Sequence, residues 1–337
     1  MADMTPRERV QRCLRFEKPD RAPRELWVLP GAQTRWAVDI ASFYERYPSD
    51  FTGPAVQYGD AKRASGAGYH VGRYTDAWGS VWEVKQEGVV GEVAEPILED
   101  WDALTGYEPP FEILDEADFS RVNASCAATD HYVKAGSTVR PFERMQFLRG
   151  SEQFFYDLAE DSAPLYQLRD MVHDFFLREI RMWAETDVDA VSFMDDWGTQ
   201  SALLISPMKW REFYKPLYKD YCDILHAAGK AVFFHTDGHT EAIHSDLIEI
   251  GVDSMNSQLF CMDIERIGRE HYGNVTFWGE IDRQAVLAFG DADDCRAAVR
   301  RVRAALDRGE GGVIAQCEWG IDTSPENVNA VFETWLE

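Results

Sequence analysis

The run Ala231-Val232-Phe233-Phe234-His235-Thr236-Asp237-Gly238 decides the fold. Four apolar residues stand together, too few for a helix and without the polar alternation of a half-wetted strand. They read as a strand covered on both faces, as in a parallel sheet. A helical pattern over 207–229 precedes it and stops at Gly229. Another over 241–250 follows and stops at Gly251. The same unit recurs on either side. Asp189-Ala190-Val191-Ser192-Phe193-Met194 hands over to Asp195-Asp196-Trp197-Gly198, after helical periodicity over 158–185. Asp253-Ser254-Met255-Asn256 is a third short run. Val275-Thr276-Phe277-Trp278 leads into Gly279-Glu280-Ile281-Asp282. Gly312-Val313-Ile314-Ala315 leads into Gln316-Cys317-Glu318, between a helix over 291–306 and one that starts at Pro325 with Ser324 as its cap.

Short apolar strands alternating with amphipathic helices predict an α/β protein with parallel βα units. A doubly wound sheet shares that rhythm but gathers its polar residues at one crevice. Here each strand ends in chemically able residues, which is how a (β/α)8 TIM barrel builds its mouth. No G-x-G-x-x-G or P-loop pattern is present. The N-terminal third is less regular. Thr5-Pro6-Arg7-Glu8 opens a helix with a cap, a first-turn proline and a capping-box glutamate. Glu25-Leu26-Trp27-Val28 reads as a short strand, and residues 74–98 as a β-rich insertion. The expectation is one barrel domain over residues 1–337 with an N-terminal β-rich elaboration.

The 337 residues carry 34 Lys+Arg against 59 Asp+Glu, a net charge of −25. That balance argues against nucleic acid or an anionic membrane surface as partner. No apolar stretch approaches the ~18 residues of a membrane span. The opening, Met1 to Arg9, is polar and lacks a signal-peptide core. Six scattered cysteines with no C-x-x-C pair suggest reduced thiols and a cytoplasmic location.

The candidate site residues lie at the strand ends. In a strand, residues i and i+2 share a face, so His235 and Asp237 point the same way. With Cys317 from a later strand they form a three-donor N/O/S set of the kind that holds catalytic Zn²⁺ with an open position. Equally, His235 and Asp237 can simply hydrogen-bond each other, with Cys317 a buried filler. Asp195 and Asp196 alternate sides, so one faces the mouth; a desolvated carboxyl there can serve as acid or base, or Asp196 can cap a helix. Glu280 and Asp282 share a face, with capping the plain role for Asp282. Trp78, Trp82, Trp197, Trp278 and Trp319 can form a flat apolar cleft or pack in the core. Gln200, Asn256, Gln258 and Glu318 complete the polar candidates for substrate binding. His226, His244 and His271 read as solvated.

Several of these stretches resemble the uroporphyrinogen decarboxylase-like superfamily. They are Asp196-Trp197-Gly198-Thr199-Gln200, Ile205-Ser206-Pro207, Phe213-Tyr214-Lys215-Pro216, Phe234-His235-Thr236-Asp237-Gly238, Trp278-Gly279-Glu280-Ile281-Asp282 and the Gly311-Gly312 to Pro325-Glu326-Asn327-Val328 ending. The resemblance implies a (β/α)8 barrel and either of two activities, tetrapyrrole decarboxylation or methyl transfer with a corrinoid protein. The decarboxylases carry a Met-Arg-Gln-Ala-Gly-Arg motif whose arginines hold propionates. The matching stretch here, Pro23-Arg24-Glu25-Leu26-Trp27, has one arginine beside a glutamate, which with the charge of −25 speaks against a polycarboxylate substrate. The zinc methyltransferases carry His-x-Cys and a distal Cys. By position His235 and Cys317 match, and Asp237 replaces the proximal Cys.

The resemblance therefore implies a corrinoid-dependent methyltransferase. It takes a methyl group from a small methoxylated or methylated, aromatic-type substrate and passes it to the cobalamin of a separate corrinoid protein. His235, Asp237 and Cys317 hold Zn²⁺; Asp195, Asp196 and Glu280 serve as acids or bases; Trp78, Trp197, Gln200, Asn256, Gln258 and Glu318 contact substrate. A homodimer is left open. Metal-free decarboxylation or lyase chemistry is the alternative, and a non-catalytic ligand-binding barrel a third.

Overall fold

A computed structural model describes residues 4–337; Met1–Asp3, the start of the polar opening, lie outside the described residues. The strands in chain order are β1 (Arg24–Val28), β2 (Phe51–Thr52), β3 (Gly72–Thr75), β4 (Val81–Val84), β5 (Glu92–Glu95), β6 (Tyr132–Gly136), β7 (Ala190–Met194), β8 (Ala231–Thr236), β9 (Ser254–Ser257), β10 (Thr276–Trp278) and β11 (Val313–Trp319). Eight of them form a parallel sheet in the order β1-β11-β10-β9-β8-β7-β6-β2. The Asp50 N–H donates to the Arg24 carbonyl at 2.9 Å and draws the two ends together. With helices outside, this is the expected (β/α)8 barrel. β3, β4 and β5 form a separate antiparallel sheet, built from the stretch read as β-rich.

The pleat sorts the side chains into two sets. Phe51, Tyr132, Ala190, Phe233, Trp278 and Ile314 meet inside the barrel, with Val10 and Cys13 of the first helix (Pro6–Leu14) packed against them. Their strand neighbours Val191, Phe193, Val232, Phe234, Met255, Phe277, Val313 and Ala315 pack outward against the helices. The continuous apolar runs read from the sequence are therefore two half-patterns, each buried on its own side.

Two helices depart from expectation. The pattern over 158–185 is broken: Ser151–Glu160 ends, Asp161 turns left-handed at φ 55°, and Ala163–Ala184 begins with a proline in its first turn. The pattern over 207–229 is Pro207–Phe213 followed by Lys215–Ala227, with Pro216 in the first turn of the second helix. β11 runs to Trp319, so Gln316, Cys317 and Glu318 lie within the strand rather than beyond it. No helix among the described residues is long and apolar enough to cross a membrane.

One ion pair lies inside the barrel. Lys134 Nζ is 2.8 Å from Glu25 Oε2, and Trp278 Nε1 donates to the same oxygen at 2.7 Å. The ammonium stands 3.5 Å from the centre of the Trp278 ring. Burial pushes the Lys134 pKa down and Glu25 opposes the shift. A buried pair of this kind contributes little net stability, yet removing one partner strands the other charge. Lys134→Met is therefore expected to cost about 3–5 kcal/mol, and adding Glu25→Leu to recover most of it. Urea unfolding midpoints of the single and double variants measure this.

Candidate active site

Strand parity decides which strand-end residues reach the mouth. On β7 the even residues point inward, so Asp196 follows Ser192 and Met194 into the cavity while Asp195 turns outward. On β8 the odd residues point inward, bringing His235 and then Asp237 to the same place. Asp196, His235 and Asp237 offer ligand atoms that lie within 4.8 Å of one another.

The tautomer of His235 follows from its neighbours. The Asn256 side-chain N–H₂ donates to the Trp278 carbonyl and to Gln316 Oε1, the latter at 3.2 Å. That leaves Asn256 Oδ1 facing His235 Nδ1 at 2.6 Å, so Nδ1 carries the proton. The Nε2 lone pair then points at two carboxylates, Asp237 Oδ1 at 3.5 Å and Asp196 Oδ1 at 3.6 Å. Asp237 Oδ1 is buried and accepts no hydrogen bond. The Asp237 N–H donates to Asp196 Oδ1 at 3.0 Å, locking the two carboxylates together. With the proton on Nδ1, three acceptor atoms converge here and only Asp196 Oδ1 takes a hydrogen bond, from the Asp237 backbone, so the group could hold a cation.

The opposite side of Asp237 is held by Arg283, whose guanidinium donates to Asp237 Oδ2 and to Glu318 Oε2, the second at 3.2 Å. The cavity in front has a volume of about 410 Å³. Trp27, Leu29, Met194 and Trp278 give it apolar walls. Trp27 stands edge-on to His235 at 5.2 Å and to Trp278 at 4.9 Å. Three carboxylates, Asp196, Asp237 and Glu318, line it against one guanidinium. A divalent cation would offset this excess of carboxylates. One imidazole nitrogen and two carboxylate oxygens suit Zn²⁺. Burial pushes Glu318 up, opposed by Arg283, and pushes Glu280 well up.

Other expected residues lie elsewhere. Cys317 is fully buried on the outward face of β11, within the helix-facing core, because it is one residue out of phase with the inward Gln316 and Glu318. It is not part of the cation site, and its neighbour Glu318 takes the mouth position. Asp195 is also no mouth residue. Its carboxylate accepts the Phe142 and Glu143 N–H groups at 2.7 and 2.8 Å and the Tyr218 hydroxyl at 2.6 Å, so it caps the helix Pro141–Arg149. Trp197 stacks on Phe142 at 3.9 Å inside the core, and Trp78 packs against Phe175 and Phe176. Neither faces the cavity. Trp82 and Trp319 are core residues too, and among the tryptophans named from the sequence only Trp278 lines the cavity.

Asn256 and Gln258 hold protein groups: Asn256 orients His235, and Gln258 Oε1 accepts the Gly238 N–H at 2.9 Å. Asp282 caps the following turn through the Gln284 and Ala285 N–H groups. Arg24, the sequence match to a propionate-binding arginine, is buried beside Tyr47 instead of facing the mouth. His244 and His271 are buried, not solvated, because their rings pack together at 6.0 Å.

Sequence reasoning missed Trp27, Arg283 and Glu143. Trp27 had a signal: two residues past Glu25 on a strand, it shares the inward face. Arg283 stands directly after Glu280-Ile281-Asp282, a lone cation among strand-end acids. Glu143 had none, since it reaches the site from the helix that Asp195 caps. Its Oε2 is buried without a hydrogen bond, 3.7 Å from Arg140.

Burial pushes Glu143 up to about 8, with Asp196 and Asp195 adding to the shift and Arg140 opposing it. A raised carboxyl favours folding fully below its unfolded pKa, and that contribution is lost as pH rises through about 8. Glu143→Gln should flatten the fall in stability between about pH 5 and 9, read from urea midpoints across that range. Metal content separates the two donor sets: His235→Ala should lose bound Zn²⁺ and Cys317→Ser should retain it, by elemental analysis after equilibration and dialysis.

The family model for uroporphyrinogen decarboxylase (URO-D) matches residues 77–337. The methylcobamide:CoM methyltransferase MtbA of Methanosarcina mazei is 24% identical, covering 94% of this chain and 93% of its own. The solved structure of a methyltransferase from Methanosarcina mazei superposes with a TM-score of 0.71 at 16% identity, covering 98% of each chain. The barrel, its mouth and the matched span together place the chain in the uroporphyrinogen decarboxylase (URO-D) family.

Proposed function

We propose that this protein is a corrinoid-dependent methyltransferase that removes a methyl group from a small methoxylated or methylated substrate, aromatic by preference. The acceptor is the cobalt of a cobalamin carried by a separate protein. The convergence of His235 Nε2, Asp196 Oδ1 and Asp237 Oδ1 at the end of an apolar-walled cavity carries this reading.

A Zn²⁺ ion held by Asp196, His235 and Asp237 would supply Lewis acidity toward an ether or phenolic oxygen. The remaining work falls to the chain. Trp27, Trp278 and Leu29 take the apolar body of the substrate and exclude water. Arg283 fixes Asp237 so that Oδ1 faces His235, and Asn256 fixes the imidazole from behind. Glu318, whose pKa burial raises against the opposing pull of Arg283, is the acid placed to give a proton to the leaving oxygen. The methyl–oxygen bond breaks, its electron pair stays on oxygen with that proton, and the methyl group bonds to reduced cobalt through the cobalt's own pair.

The donor set also bears on which partner is methylated. Thiolate-rich zinc favours activation of a thiol acceptor, and this set contains no thiolate. Removal of methyl from an oxygen-bound donor fits better than delivery to a thiol. The decarboxylase alternative loses two supports, because Asp195 caps a helix and Arg24 faces Tyr47.

The assay supplies reduced cobalamin, Zn²⁺ and a panel of methoxylated aromatic compounds, and follows methylcobalamin by its visible spectrum. Methylation that falls by about 100-fold or more in His235→Ala is expected. A panel that methylates no cobalamin, or turnover that survives in His235→Ala, overturns the proposal.

A further inference from the structure

A second cavity, of about 310 Å³, opens beside the first and is lined by Gln200, Gln258, Cys261, Glu280, Asp282 and Gln284. Glu280 is only 5% exposed, yet its carboxyl makes no hydrogen bond among the described residues. Its carboxyl faces the cavity rather than a protein donor, so a molecule entering the cavity is the partner within its reach.

The lining defines the chemistry of that ligand. Gln258 uses its Oε1 on Gly238, leaving its N–H₂ free to donate. Asp282 uses Oδ1 on the Gln284 and Ala285 N–H groups, leaving Oδ2 to accept. Gln200 and Gln284 both donate and accept. No cation lines the cavity, and Asp282 repels an anion. Burial raises the Glu280 pKa well above the carboxylate range, which favours its neutral form and weakens any hold on an ammonium group. What remains is a small neutral group that both donates and accepts.

We propose that this cavity receives a primary carboxamide, specifically one of the carboxamide arms at the edge of the corrin ring. The corrin assignment rests on the methyl-transfer reading. Glu280 lines the second cavity and lies within electrostatic reach of Asp237, Arg283 and Glu318, which line the first. A ring laid across the mouth with its cobalt over the first cavity therefore brings an edge substituent to the second. The cavity is a subsite for the cofactor itself, and it sets the orientation of the ring.

The test titrates the full chain with free methylcobalamin and reads equilibrium dialysis and tryptophan quenching. Glu280→Leu and the double variant Gln200→Leu/Gln284→Leu should each raise Kd by about tenfold. Glu280→Gln, which restores a neutral donor and acceptor, should stay within about twofold of wild type. Zn²⁺ affinity of the double variant, by calorimetry, should be unchanged and shows that it is folded. Equal methylcobalamin binding by the leucine variants and wild type overturns the subsite. So does a wild type that binds no free methylcobalamin, which would assign the cavity to an Asn or Gln side chain of the partner protein. Binding that depends on this cavity, in a protein that moves no methyl group, supports the subsite and retires the methyl-transfer reading alone.

Discussion

The hydrogen bond between His235 Nδ1 and Asn256 Oδ1 governs the mouth of this barrel. At 2.6 Å it fixes both the ring and its tautomer. Asn256 cannot turn to offer its N–H₂ instead, because the Trp278 carbonyl and Gln316 Oε1 already accept from it. The Nε2 lone pair is therefore committed to the side where Asp196 and Asp237 wait. A backbone carbonyl of β10 takes part, and three strands, β8, β9 and β11, contribute side chains from their inward faces. A shift of one residue in any of them would turn its contribution into the helix layer. The register of the sheet is thus a condition for the chemistry as well as for the core.

That period of two explains what was legible in the sequence. Four apolar runs and their helices were visible because burial on both faces leaves uninterrupted hydrophobic stretches; the strand at 254–257 has only Met255 apolar. His235 and Asp237 were visible as a pair because they are two apart on a strand. Cys317 and Asp195 were chosen for their chemistry, and each lies one residue out of phase with the inward face. Their inward neighbours, Glu318 and Asp196, hold the mouth positions. Extending strand parity past the last apolar residue would have exchanged both pairs. Glu143 was beyond reach, because it belongs to a helix whose placement depends on the buried carboxylate of Asp195. The aromatic cleft was expected from the wrong tryptophans for a related reason. A strand-end tryptophan such as Trp197 finds its partners in the helix layer unless parity turns it inward, as it does for Trp27 and Trp278.

Asp195 shows how a structural carboxylate serves the site at a distance. It takes two N–H groups that the helix Pro141–Arg149 leaves without intrahelical partners, and a hydroxyl from Tyr218. The helix start is pinned to the end of β7, one residue from Asp196. Arg140 and Glu143 ride on that helix start and meet the mouth from the side. Adjacent aspartates on one strand therefore divide the labour. The outward one positions a helix and the inward one faces the candidate cation site.

The charge of −25 acquires a local meaning at the mouth. Spread over the surface, such an excess is screened within about 8 Å at physiological salt and says little about mechanism. Inside the cavity it is concentrated: three carboxylates share the wall with one guanidinium and an imidazole. Arg283 does not cancel this set. By holding Asp237 Oδ2 and Glu318 it turns Asp237 Oδ1 toward His235 and leaves that oxygen without a donor. The one cation in the cavity wall therefore sharpens the demand for a second, positively charged group at the point where His235, Asp196 and Asp237 meet. A neutral apolar substrate does not meet that demand, and a polycarboxylate worsens it. On the proposed reading, a divalent ion beside a neutral, aromatic-type methyl donor would satisfy the electrostatics and the apolar walls together.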